Sequence, residues 1–229
     1  MMVCHEHRFI FLKTRKTGST SVEIALSPHV RRDDDIVTRV NDKDEPLREA
    51  LGARGRRNEE MPYRAYTFGD WRRLALRRHH ALVRSHAPAE QVRRIVGARV
   101  WDSYFKFCVE RNPYDKAISL YYWRTRDQSP RPSLSDYLAS AETRSLSNFH
   151  IYALDGRVAV DRVIPYEALD SGLAATFRDL GLPGEPALPR AKGEHRGDRR
   201  PYAELIGAAD RAVIERACRR EIEAFNYAF

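Results

Sequence analysis

The segment that most constrains the fold is Tyr104-Phe105-Lys106-Phe107-Cys108-Val109, a run of aromatic and apolar residues that reads as a strand. It feeds directly into Arg111-Asn112-Pro113, where Asn112 suits an N-cap, Pro113 the first helical position and Asp115 the first turn. The sequence therefore predicts a strand that hands over to a helix ending near Trp123. The same pattern recurs upstream. Arg8-Phe9-Ile10-Phe11-Leu12 leads through a Lys/Thr/Gly-rich turn into a helical pattern from about Ser19 to Leu26. His80-Ala81-Leu82-Val83-Arg84 reads as another strand, followed by Ser85-His86-Ala87-Pro88 and a helix through Val96, closed by Gly97. A fourth strand is predicted at Arg162-Val163-Ile164, before a helix from about Ala168 to Leu180 that Gly181 and Pro183 stop. Strands alternating with helices imply an α/β fold whose mostly parallel sheet is covered on both faces.

A chain of 229 residues suits one domain. Residues 33–78 are charged and weakly periodic, which predicts loops and short helices, and Gly184 to Arg200 reads as a Pro-, Gly- and charge-rich loop. A last helix is expected from about Tyr202 to Ala224, ahead of the aromatic tail Phe225-Asn226-Tyr227-Ala228-Phe229. Hydrophobic residues make up 42% and charged residues 31%, a globular composition. No stretch approaches the roughly 18 apolar residues of a membrane span, and charges occupy the N-terminus where a signal peptide needs its apolar run. The expectation is a soluble, cytoplasmic protein without a membrane span. Cys4, Cys108 and Cys218 are odd in number and far apart, which argues for reduced thiols. The formal charge is +8, and 34 of the 40 basic residues are Arg. Arginine's planar fork suits phosphate and sulfate oxygens, although a GC-rich genome writes the same excess.

In an α/β sheet ligands bind beyond the carboxyl ends of the strands. After Leu12 comes Lys13-Thr14-Arg15-Lys16-Thr17-Gly18-Ser19-Thr20-Ser21. Such a loop offers backbone N–H groups, the positive end of a helix dipole, a mobile lysine and three hydroxyls to an anion. The plainer reading is a solvated basic turn with an ordinary helix cap. The lysine precedes the glycine, so this is not the Gly-Lys-Ser/Thr signature of nucleoside triphosphatases. After Val109, Arg111 stands at the ligand edge and Ser119 two turns along the next helix, a pair able to clamp a second phosphate. Here the plainer reading is a surface arginine beside a capped helix.

These residues resemble a known family. Lys16-Thr17-Gly18-Ser19-Thr20-Ser21 resembles the 5′-phosphosulfate loop of sulfotransferases that use 3′-phosphoadenylyl sulfate (PAPS). Arg111-Asn112-Pro113-Tyr114-Asp115-Lys116-Ala117-Ile118-Ser119-Leu120-Tyr121 resembles their 3′-phosphate motif, including the eight-residue step from Arg to Ser. Ile164-Pro165-Tyr166-Glu167-Ala168-Leu169 and the Phe225–Phe229 tail are similar to carbohydrate-type, bacterial and Golgi-like members. The likeness touches most of the chain except residues 30–75. Arg15 stands where many members have Pro before the loop lysine.

The resemblance implies a three-layer α/β fold with a phosphate-binding strand–loop–helix of the nucleoside-triphosphatase type. Residues 1–229 would form one domain, with 30–80 and 184–200 as substrate or lid insertions. It implies PAPS as sulfuryl donor and a hydroxyl acceptor, a carbohydrate in the first instance. Arg15, Lys16, Thr17, Gly18, Ser19, Thr20, Ser21, Arg111 and Ser119 would hold the donor. Lys16 would neutralise the bridging oxygen, and His86, in a segment similar to the family's histidine-containing stretch, would serve as base. No metal is needed by this scheme, and the Asp33-Asp34-Asp35 run reads as a solvated turn. Glu110 is the alternative base, His79 and His80 are weaker candidates, and helix-terminal packing is the plainer role for His86. Trp71, Trp101 and Trp123 qualify as adenine stackers by type only, each with core packing as its plainer role. Arg190, Lys192, His195, Arg196, Arg199 and Arg200 form a candidate anion-binding lid. Two other functions compete. A nucleotide kinase or other phosphate-loop enzyme would need magnesium and the missing Gly-Lys-Ser/Thr, and a basic nucleic-acid-binding module would need exposed aromatics among its cations.

Overall fold

Four strands deliver the sheet that positions the candidate loop. β1 (Met2–Cys4), β2 (Phe9–Leu12), β3 (Ile36–Val37) and β4 (Phe105–Glu110) are joined at the far edge by β7 (Arg162–Pro165), in the order β3-β1-β2-β4-β7. The structure is a computed structural model that describes residues 1–189, 198 and 200–229. β4 runs parallel to both β2 and β7, whereas β1 is antiparallel to β2 and to β3. The sheet is therefore mixed, with a parallel core, and not mostly parallel throughout. Two short strands, β5 (Ala153–Leu154) and β6 (Arg157–Val158), form a separate hairpin whose turn residues Asp155 and Gly156 both have positive φ, as a two-residue hairpin turn of this kind requires.

Alternation along the strands divides the core. Val3, Ile10, Leu12 and Cys108 face one side, where α4 (Ala89–Val96), α5 (Ala98–Ser103) and α8 (Phe149–Tyr152) cover them. Met2, Phe9, Phe11, Phe107, Val109 and Ile164 face the other, against α1 (Ser19–Leu26) and α9 (Leu169–Asp179). A third cluster forms beyond the sheet, where α6 (Pro113–Arg124) and α7 (Leu134–Ala139) meet α10 (Tyr202–Leu205), α11 (Ala208–Ala217) and α12 (Arg219–Phe225). The remaining helices, α2 (Glu45–Ala50) and α3 (Phe68–Arg77), occupy the stretch expected to hold short helices.

Two expectations need correction. Residues 80–84 do not join the sheet: Leu82 makes only an isolated bridge to Glu60, because the apolar stretch is three residues long and pairs with its neighbour 59–61. Met2–Cys4, for which the sequence carries no strand signal, is a fully buried strand between β2 and β3. The C-terminal helix is three helices, interrupted at the buried Ile206 with Gly207 and again at Cys218. The three cysteines are free, as expected, and all are buried. Among the described residues, no helix is long and apolar enough to cross a membrane.

One buried polar network ties these layers together. Lys116 on α6 is sealed from solvent, 2.9 Å from Glu110 at the end of β4 and 3.7 Å from Glu221 on α12. Burial opposes its charge, but Glu110, with further help from Cys218 and Glu221, holds its pKa above the ordinary lysine value. Tyr152 donates to the other Glu110 oxygen at 3.0 Å, and the Asn148 backbone N–H donates to Glu221 at 2.8 Å. Removing the cation leaves two buried carboxylates facing each other. Lys116→Met is expected to cost about 3–5 kcal/mol of stability in denaturant unfolding. A loss below about 1 kcal/mol would contradict the role given to this pair.

Candidate functional site

The parallel strands β2 and β4 end side by side, so the loop after Leu12 and the turn after Glu110 meet at one edge. In that loop Lys16 and Gly18 both take left-handed backbone conformations, and Gly18 is the N-cap of α1. A Cβ on Gly18 would lie 3.0 Å from the Tyr166 ring, so glycine suits both the φ of +70° and the close approach. No side chain caps α1, which leaves its positive dipole end directed at the loop.

The loop is held from behind. Thr14, Thr17 and Ser19 form a buried hydroxyl cluster, with Thr14–Thr17 at 2.7 Å and Thr14–Ser19 at 3.0 Å, and the Thr14 hydroxyl donates to the Val109 carbonyl. Asn148 grips the Arg15 backbone on both sides: its side-chain oxygen accepts from the Arg15 N–H and its amide donates to the Arg15 carbonyl, each at 3.0 Å. The same amide reaches Glu110 at 3.4 Å, connecting the loop to the buried Lys116 pair. Lys13 turns inward to pair with Glu23, which also meets the Met1 amine at 3.2 Å and Arg48 at 3.9 Å. Burial pushes the Glu23 carboxyl up, but these three cations outweigh it and bring its pKa down to about 2.

A cavity of about 330 Å³ opens in front of this loop. Its lining includes each residue expected to hold the donor, together with the first candidate base: Arg15 through Ser21, Arg111, Ser119 and His86. Five of the lining residues are cationic, Lys13, Arg15, Lys16, Arg111 and Arg124, of which Lys13 is paired with Glu23, and none of the described lining residues is a carboxylate. Burial, then the nearby Arg124, lowers the Arg15 pKa from its ordinary value. Lys16 Nζ sits 5.0 Å from the centre of the Trp123 ring. Arg111 donates through Nε to Asp115 at 2.8 Å and through a terminal nitrogen to the Lys16 carbonyl at 3.3 Å, while its guanidinium lies 4.3 Å from the Tyr166 ring centre. Larger hollows exist, one of about 480 Å³ beside His79 and His80 and one of about 740 Å³ between α7 and α11. Neither holds the loop, so chemistry and not size singles out this cavity.

His86 is oriented by its own hydrogen bond. Its Nδ1 lies 2.8 Å from the Lys13 carbonyl oxygen, which can only accept, so the neutral ring carries its proton there and keeps the lone pair on Nε2. Burial lowers its pKa to about 4; the Lys13 carbonyl opposes the shift and nearby cations add to it. Glu110, the alternative base, is fully buried within the Lys116 network and does not line the cavity. His79 and His80 open onto the other hollow.

Several lining or supporting residues escaped the sequence reading. Nothing in the sequence singles out Asn148 or Arg124, and Thr14 and Tyr166 stand in segments the sequence marks without a role of their own; Asn148 finds its partner 133 residues away. Trp123 proves to be a wall of the cavity, whereas Trp101 is core and Trp71 stacks on Tyr63 with ring centres 5.4 Å apart. The Ser19 hydroxyl, expected to face an anion, is engaged with Thr17 in the buried cluster. His5, Asp34 and Asp35 bring ligand atoms within 4.8 Å of one another, a grouping that no sequence motif marked. Each already has a protein partner: the Tyr104 hydroxyl for His5, Arg32 for Asp34, and the His5 and Arg32 backbone N–H groups for Asp35. Of the expected lid, Arg190, Lys192, His195, Arg196 and Arg199 lie outside the described residues, and Arg200 pairs with Asp198 at 2.6 Å.

No family model matches the chain, and no solved structure matches it. An uncharacterized protein of Archaeoglobus fulgidus is 33% identical over 102 residues, a stretch covering 43% of this chain and 85% of the archaeal protein. The chain belongs to that protein's family. This relationship adds no activity, so the reading of the site rests on its geometry.

The buried imidazole gives a direct test. Unfolded histidine titrates near 6.5, so between about 6.5 and about 4 the unfolded chain binds the proton that folded His86 refuses. His86 is expected to show an NMR titration midpoint near 4, with stability falling as pH drops through this window and the slope flattened in His86→Gln. A midpoint near 6.5 would contradict the packing described.

Proposed function

We propose that the protein is a sulfotransferase that transfers a sulfuryl group from PAPS to a hydroxyl acceptor, with carbohydrate as the acceptor class. One observation carries the reading: a strand-end cavity walled by Arg15, Lys16, Arg111 and Arg124 with no carboxylate among its described lining. Such a lining favours a ligand with anionic groups at both ends, because the loop and the Arg111–Ser119 side supply separate donor sets. Lysine ahead of glycine in the loop distinguishes it from the triphosphate signature.

PAPS supplies an activated sulfuryl group with adenosine 3′,5′-bisphosphate as its leaving group. The residues then divide the work. Lys16 leaves the Trp123 face, an attraction worth about 0.5–1 kcal/mol at an exposed site, and neutralises charge that develops on the bridging oxygen. The α1 N-terminus and the Thr20 hydroxyl serve the 5′ side, while Arg111 and Ser119 hold the 3′-phosphate. Arg111 is already restrained by Asp115 and Tyr166, so little ordering remains for binding. His86 Nε2 accepts the acceptor's proton as its oxygen bonds to sulfur and the old S–O bond breaks. With a pKa near 4, the ring is neutral and available at pH 7 but a weak base, which suits a proton that departs late as the new bond acidifies it.

The test is titration calorimetry with adenosine 3′,5′-bisphosphate in the absence of magnesium, beside ATP. The bisphosphate is expected to bind without metal, and Arg111→Ala or Ser119→Ala to weaken it, by about 10- to 100-fold for the arginine. Preference for magnesium-ATP would replace this reading with the kinase reading, and absence of any bisphosphate binding would overturn it.

A further inference from the structure

We infer that α3 is a peripheral membrane contact that rests on an anionic lipid surface. The inference does not depend on the activity proposed above. Among the described residues, α3 has no buried side chain. Phe68 is 86% exposed and Leu76 76% exposed, although both are large and apolar. They lie at i and i+8 on one side of the helix, about 12 Å apart, with Arg72 between them at i+4. The opposite side is occupied: Trp71 stacks against Tyr63 and Tyr66, and Leu74 packs on the sheet-face core. Gly69, Asp70 and Arg73 turn toward the hollow beside His79 and His80. Phe68, Arg72 and Leu76 thus form the outward ridge.

Charge identifies the partner. Between residues 64 and 84 there are six arginines and one carboxylate, Asp70. Asp70 is taken by the helix N-terminus, where it forms a capping box with Thr67. Arg72 stands on the ridge between the two apolar side chains, and Arg73, Arg77 and Arg78 are exposed on the same helix and at its end, so the ridge sits in a strongly cationic segment. An interfacial helix needs this combination: apolar side chains that enter the acyl boundary and arginines that meet anionic headgroups. A ridge that is convex and unpaired fits a planar, fluid surface better than a peptide or glycan chain, which would require a groove along these residues.

The experiment is flotation of the full chain with phosphatidylserine-containing vesicles and with vesicles of phosphatidylcholine alone, beside binding to soluble heparin. The variants are Phe68→Ser/Leu76→Ser and Arg72→Ala/Arg77→Ala; all four side chains are exposed, and circular dichroism verifies the fold. The expected result is binding to the anionic vesicles only, reduced about tenfold or more in either variant. Binding to neither vesicle overturns the inference. Anionic-vesicle binding untouched by Phe68→Ser/Leu76→Ser also overturns it, since the net charge of the chain would then suffice. Heparin binding that depends on Phe68 and Leu76, without vesicle binding, assigns the ridge to a glycan instead.

Discussion

The buried pair of Lys116 and Glu110 is the joint on which the site depends. It stands where the central strand β4 ends and α6 begins, and it is closed to solvent on both partners. A lysine between two carboxylates gains little net stability over an apolar core, because desolvation offsets most of the attraction. What it supplies is position. Glu110 fixes the strand end and accepts the Arg111 N–H at 2.9 Å, so the residue that follows leaves the sheet in one direction. Through Asn148 the same network reaches the backbone of Arg15. The loop and Arg111, 95 residues apart at the Lys16 carbonyl contact, are thereby referred to one fixed point.

Around this joint the electrostatics are arranged by depth. Carboxylates that face cations lie inside: Glu23 with Lys13, and Glu110 and Glu221 with Lys116. The cavity surface retains the guanidinium and ammonium groups. Asp115 orients Arg111 from the side without entering the lining. An anion therefore meets donors whose geometry is already set, while its competitors within the protein are sequestered. The aromatic tail contributes to this order, since Ala228 accepts from Asn112 at 3.3 Å and Phe229 packs edge-on against Tyr114 at 4.9 Å, both beside the start of α6.

The sequence is most legible where signals are local. The strand at 105–110, its Asn-Pro cap and α6, and the loop into α1 are all read within a dozen residues, and these carry most of the cavity. What it conceals depends on distant partners. Asn148 is an unremarkable polar residue until it meets a backbone 133 residues away. Glu110 looks like a candidate base because its partner Lys116 is six residues on, a spacing with no standard pattern. β1 is three residues long, too short for alternation to register, and residues 80–84 have strand-like composition but pair locally. The Asp155-Gly156 dipeptide is a hairpin signal, but the two-residue strands beside it carry no periodicity to support it.

The central claim is that one cavity binds a ligand by two separate anionic ends. The most direct measurement is a crystal structure of the protein with adenosine 3′,5′-bisphosphate. The account predicts the 5′-phosphate against residues 16–21 and the 3′-phosphate within hydrogen-bonding distance of Arg111 and Ser119. A bisphosphate seated elsewhere, or one whose 3′-phosphate leaves Arg111 on Asp115 and untouched, would contradict it.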